Sequence, residues 1–160
     1  MARYPKDMFL ATRAHEGVWE GVYTHVNRMA QIEDTHRSKV VCEFPDDGGE
    51  VFYRQYITFN WDDGRERKDL FEGVPHNGKL HYDTPTFHGV SWETDDGLIL
   101  LNLQRKDEPG ANFFEIIAMG DNGEHRARTW HWFKDGKLYR RTLCDETRVS
   151  SGLPEISGQG

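Results

Sequence analysis

Five Asx-Gly pairs, Asp63-Gly64, Asn77-Gly78, Asp96-Gly97, Asn122-Gly123 and Asp135-Gly136, separate runs of alternating residues. An Asn or Asp followed by Gly tolerates the positive φ of a tight reversal, so each pair marks a hairpin. Strands joined by hairpins are neighbours in space as well as in sequence, which makes an antiparallel meander. The pattern predicts strands near 17–27, 36–44, 50–61, 65–73, 79–83, 86–94, 98–105, 112–120, 125–134 and 137–148. About ten strands in one meander curl and close, because an open sheet of that width leaves two long edges unpaired. Pro5 suits the first turn of a short helix over 5–14. The expected architecture is all-β: a closed up-and-down barrel of about eight to ten strands with a short N-terminal helix. One domain spans 1–149, and 150–160 is a loose Ser/Gly-rich tail. The connection 26–35 is the longest without a turn signal, and by analogy with small-ligand barrels, which often carry a lid after the first strand, it is the candidate for one.

The last hairpin bears on what the barrel holds. Counting outward from Asp135-Gly136 sets His131 opposite Arg140, Thr129 opposite Thr142 and Ala127 opposite Cys144. The other face then carries Trp130, Trp132, Tyr139 and Arg141. Both faces mix apolar and ionisable groups, whereas a simple sandwich shows one clean face of each kind. Two mixed faces suggest a sheet curved around a partly polar cavity. Five Trp, six Tyr and nine Phe supply aromatic lining.

At Gly17-Val18-Trp19 the chain resembles the calycin superfamily, the lipocalins and fatty-acid-binding proteins. A short helix, a Gly-x-Trp opening the first strand and a meander are the shared features. Trp19-Glu20-Gly21 is also similar to the opening strand of small bacterial lipocalin-like domains of unassigned function. The resemblance implies that Trp19 closes the barrel base and that Arg148, late in the last strand, packs on it. It names no ligand.

With Trp19 inward, alternation turns Gly21, Tyr23 and His25 inward. With Arg148 inward, Glu146, Cys144, Thr142 and Arg140 follow, and the count from Asp135-Gly136 brings His131 with them. Around Asp96-Gly97 the more apolar face holds His88, Val90, Trp92, Ile99, Leu101 and Leu103. Around Asn122-Gly123, Phe114, Ile116 and Ala118 share a face with His131. The third hairpin is open between two sets. One is Tyr53, Ile57, Phe59 and Trp61; the other, slightly favoured because it adds polar groups to the cavity, is Phe52, Arg54, Tyr56, Thr58 and Phe71.

The candidate catalytic set is therefore His131, Arg140, His88, His25 and Tyr23. The candidate ligand contacts are Trp19, Trp92, Phe114, Leu101, Arg54 and Tyr56. Buried imidazoles stay neutral and can act as bases, and a fixed guanidinium can hold a carboxylate, enolate or phenolate. No Gly-rich phosphate loop is present, so no cofactor is expected. His125 and His131 are too far apart on one strand to chelate, so no metal is expected. A net charge of −7 with no basic stripe argues against nucleic acid. No apolar run reaches membrane-spanning length, and the start lacks a leader's apolar core, so a cytoplasmic protein without a membrane partner is expected. Cys42 and Cys144 read as buried thiols. Trp130 and Trp132 fit an outer face or a homodimer contact.

Two functions from different classes fit. One is a cofactor-free acid–base enzyme, an isomerase, lyase or cyclase for a small, mostly apolar, aromatic or polyketide-like substrate. The other is a non-catalytic binding protein for a small hydrophobic or aromatic molecule.

Overall fold

The computed structural model describes residues 3–152. The C-terminal part of the tail, 153–160, lies outside the described residues. The helix α1 is short, Leu10–Arg13, and ten strands follow. They are β1 (Gly17–Asn27), β2 (Ile32–Glu43), β3 (Tyr53–Asn60), β4 (Glu66–His76) and β5 (Lys79–Asp83). Then come β6 (Phe87–Glu93), β7 (Ile99–Arg105), β8 (Ala111–Met119), β9 (His125–Lys134) and β10 (Lys137–Ser150). Each pairs antiparallel with its neighbours in sequence, and β10 returns to β1, so the described strands close into an up-and-down barrel with no free edge.

The base is sealed by the segment before β1. Phe9 sits against Phe52, with Tyr4 and Phe44 around the same ring. Thr12 donates its N–H and its hydroxyl to the Glu93 carboxylate, both at 2.6 Å. Trp19 is fully buried and donates its indole N–H to the His15 carbonyl. Arg148 pairs across from Trp19, and its guanidinium lies 4.5 Å from the indole centroid. The same guanidinium donates to the carbonyls of Gly123, Glu16 and Ala14, tying helix, loop and last strand together. Cys42 and Cys144 are buried free thiols.

The turns differ in length, and their parity decides which side chains enter the barrel. Asn77-Gly78 and Asp135-Gly136 are two-residue turns with positive φ at both positions. Asp62-Asp63-Gly64 and Asp95-Asp96-Gly97 are three-residue loops in which only the Gly is left-handed. The extra residue shifts every partner by one, and one step carries a side chain through the sheet. On β6, Gly89, Ser91 and Glu93 therefore face in, while His88, Val90 and Trp92 face out; His88 is exposed and Lys79 covers the Trp92 ring. On β3, Tyr53, Gln55, Ile57 and Phe59 face in, and Phe71 of β4 joins them. Arg54 lies outside between Glu43 and Glu72, and Tyr56 is exposed. The set favoured from the sequence is corrected at Arg54 and Tyr56.

The last hairpin has the expected turn but not the expected register. Leu138 faces Phe133, then a bulge at Tyr139 intervenes, and Arg140 faces Trp132 instead of His131. Arg140, Thr142, Cys144 and Glu146 do point inward. Their partners on β9 are Trp132, Trp130, Arg128 and Arg126. His131 stands exposed on the outer surface with Phe114, which is 47% exposed. Trp130 and Trp132 line the interior and cover no outer face. The connection after β1 is no lid. It is a short hairpin loop, with the Asn27 side chain accepting from the N–H groups of Met29 and Gln31.

Candidate functional site

The interior has a charged floor and an open mouth around a cavity of about 520 Å³. On the floor, Arg126 and Arg128 of β9 meet Glu115 of β8 and Glu146 of β10, all four buried. Arg126 Nε donates to Glu146 at 2.6 Å, and Arg128 Nε donates to Glu115 at 2.8 Å. Arg128 also donates to the Tyr23 hydroxyl at 2.9 Å. Two cations and two anions balance, which is what permits their burial. His15 lies 3.1 Å from Arg126 Nη1, and burial, with Arg126 beside it, lowers the imidazole pKa to about 3. The neutral ring accepts the Arg126 hydrogen. Burial likewise pushes the Tyr23 phenol up and the Cys144 thiol up to about 12. The floor holds fixed charges.

The mouth is built by β1, β2 and the ends of β3, β9 and β10. The register from Ser38 to Asp34 is unbroken, so Asp34 stands opposite His25 and turns inward with His36, and a bulge at Glu33 lies beyond them toward the loop. His36 Nδ1 is 2.7 Å from Asp34 Oδ2. An ionised carboxylate only accepts, so Nδ1 carries the proton and Nε2 is a bare lone pair. Burial lowers the Asp34 carboxyl's tendency to ionise, but hydrogen bonds from His36 and Trp61 outweigh it and hold the pKa below the usual carboxylate range. The Trp61 ring lies against His36 with centroids 4.4 Å apart. Burial lowers the pKa of His36, partly offset by Asp34. Burial and Arg140 bring His25 down to about 4. Both imidazoles are neutral at pH 7.

Arg140 completes the mouth. Its guanidinium stacks on Trp132 and Tyr139. Among the described residues it has no carboxylate partner, and its Nε is buried without a hydrogen bond. Arg67 and Arg105, also on the cavity wall, are paired with Asp69 and Asp107. Arg140 is thus the cation in the cavity left for an anionic guest. Thr142 Oγ1 accepts from the Trp132 indole at 2.8 Å and lies 2.6 Å from His25 Nδ1, fixing both rings.

Of the residues expected at the site, His25, Tyr23, Arg140 and Leu101 line the cavity. Trp19 lies beneath the floor, flanked by the guanidinium groups of Arg148 and Arg126 at 4.5 Å each. His131, His88, Trp92, Phe114, Arg54 and Tyr56 are on the outside. Sequence reasoning missed Asp34, His36, Arg126 and Arg128, and held Trp61 in the less favoured of two open sets. Asp34 and His36 fell inside the supposed lid or at its edge. The inward alternation His36, Ser38, Val40, Cys42 was the signal that could have found them. The donor atoms of His25, Asp34 and His36 lie within 4.8 Å of one another.

The sequence matches no protein-family model and no curated protein. Solved structures share the fold. A DUF3598-family protein of unknown function from Nostoc punctiforme superposes with a TM-score of 0.66 at 18% identity, over 86% of this chain and 49% of the other. The chain thus spans about half the length of the Nostoc protein. The S-type phycobiliprotein lyase CPES from Guillardia theta gives 0.65 at 18% identity, over 90% and 98% of the two chains. Rv2717c from M. tuberculosis gives 0.57 at 15% identity, over 91% and 99%. At these identities the likeness is one of fold.

Proposed function

We propose that the barrel binds a small, largely aromatic molecule with an acidic or enolisable oxygen, and transfers a proton on it without a cofactor. The observation that carries this is Arg140, a cation without a carboxylate partner in an aromatic cavity that also holds neutral, oriented imidazoles. The guest's oxygen would face Arg140, and its apolar body would lie along Phe59, Phe113 and Trp130. His36 Nε2 takes the proton from carbon or phenol. Asp34 stabilises the imidazolium that forms, and Arg140 holds the resulting oxyanion. The proton returns from His36 to a different atom of the substrate in an isomerisation, or to a leaving group in a lyase reaction. Fold analogy supports this loosely, since one protein on such a barrel is named a lyase. A carrier would use the same cavity and the same cation with no turnover.

Binding of naphthoate and of neutral naphthalene carboxamide, followed by tryptophan fluorescence, tests the cation. The acid should bind at least tenfold more tightly, and Arg140→Gln should erase the difference. Equal affinities in the wild type would remove the anion site. Deuterium exchange at the α-carbon of an aryl ketone in D₂O tests the base. His36→Gln should abolish protein-dependent exchange while leaving naphthoate binding in place. Discrimination by Arg140 with no exchange in the wild type would make the protein a carrier.

A further inference from the structure

The mouth cluster carries a second chemistry. His25 and Asp34 are direct cross-strand partners, and His36 stands two residues along the same inward face. Their donor atoms lie within 4.8 Å of one another, and the two imidazole centroids are 5.4 Å apart. Each ring already has an oxygen at Nδ1, Thr142 for His25 and Asp34 for His36. Metal-bound histidines are commonly held, as Thr142 holds His25, by an outer partner at the second nitrogen. Asp34 lies on the Nδ1 side of His36, so an ion shared by the two would replace the proton between Nδ1 and the carboxylate. The Trp61 indole N–H donates to Asp34, so the carboxylate is itself oriented.

We propose that His25, His36 and Asp34 form a site for a divalent transition metal of the zinc type. Two imidazoles and one carboxylate are the donors that zinc, cobalt, nickel and copper take readily, while magnesium and calcium prefer oxygen alone. A tetrahedral ion with bonds of about 2.1 Å needs donors about 3.4 Å apart. The side chains must therefore draw in by about an ångström. His36 is held between Trp61, Phe59 and Tyr23, so the movement falls to Asp34, which is a third exposed, and to the half-buried His25. With three protein ligands at most, at least one coordination position stays open toward the cavity. Arg140 and Arg67 add positive charge nearby, which weakens the site and favours an ion that arrives with, or recruits, an anionic guest.

The site does not rest on the proton-transfer reading. An ion at His36 Nδ1 would leave the ring's proton on Nε2, the atom whose lone pair proton abstraction requires, so metal and base action exclude one another in any one molecule.

Titration of chelator-treated full-length protein with Co²⁺, followed by the visible absorption of the ion, tests the site. Zn²⁺ should displace the Co²⁺. One ion per chain should bind. His25→Gln, His36→Gln and Asp34→Asn should each weaken binding at least tenfold, with circular dichroism confirming an intact barrel. His76→Gln/His81→Gln, which removes the imidazole pair on the β4–β5 hairpin (ring centroids 5.5 Å apart), should change nothing. Loss of binding in that outer double variant, unaltered binding in the three mouth variants, or no binding at millimolar Co²⁺ would each overturn the site. Exchange of the aryl ketone in the same samples keeps the two readings apart. Bound ion with exchange still present discards His36 as the base and keeps the site. Exchange lost in His36→Gln with no ion bound does the reverse.

Discussion

At the scale of single residues, the base of the barrel shows how one side chain is used several ways. Arg148 stacks on Trp19 and donates to three backbone carbonyls. A cation–π contact alone is worth about 0.5–2 kcal/mol. With the carbonyls left unpaired, Arg148→Ala should cost about 3 kcal/mol in urea melts. Trp19→Phe in the same background should be less costly than alone, since the two residues touch; additive effects would deny the contact. His15 makes a pH prediction. Its folded pKa of about 3 lies below the ordinary 6.5, so the unfolded chain binds the proton first. Its contribution to stability is complete above pH 6.5 and is lost progressively as pH falls toward 3. Between pH 7 and pH 5 the loss should be about 2 kcal/mol. His15→Gln should flatten the slope of stability against pH over that interval.

At the scale of elements, strands are placed by their turns and by close approaches between backbones. Gly21 of β1 is one such approach. A Cβ there would lie 2.4 Å from the Asp145 carbonyl oxygen and 2.7 Å from Glu146 Cγ. Its absence lets β10 come close enough to bring Glu146 under Arg126. Gly21→Ala should therefore cost about 2–3 kcal/mol, as overpacking does, and should broaden the NMR signals of the floor. Gly64 is the contrasting case. A Cβ there meets nothing, and only its φ of +92 opposes substitution. Gly64→Ala should cost about 1 kcal/mol and leave the floor unperturbed. A larger loss for Gly64→Ala than for Gly21→Ala, measured by urea denaturation, would contradict both accounts.

At the scale of the whole molecule, the barrel encloses charge as well as apolar surface. Glu115 and Arg128 are buried partners, and a lone buried charge is far more costly than a pair. Glu115→Gln alone should destabilise by about 3–5 kcal/mol. Glu115→Leu with Arg128→Met should recover much of that loss, and a thermal melt of the two variants checks the order. A double variant less stable than Glu115→Gln would mean that the pair itself holds the barrel closed.

The sequence by itself determined the strand order and the closed meander, and its resemblance to the calycins implied the contact of Trp19 with Arg148. Asx-Gly turns and period-2 alternation are local signals, and local signals suffice to say that neighbours in sequence pair. On β1 and β10 the same resemblance turned Trp19 and Arg148 inward, and alternation from them gave His25, Tyr23 and Arg140. Elsewhere the inward face depended on parity. A third loop residue at Asp95 and a bulge at Tyr139 each moved a register by one. That single step sent His88 and His131 outward and brought Ser91 and Trp132 inward, while on β3 the open choice fell against Arg54 and Tyr56. Alternation is symmetric between the two faces of a strand, so nothing within a strand of mixed residues says which face is enclosed. Only closure of the barrel, with Arg126 and Arg128 finding Glu146 and Glu115 inside it, decided that.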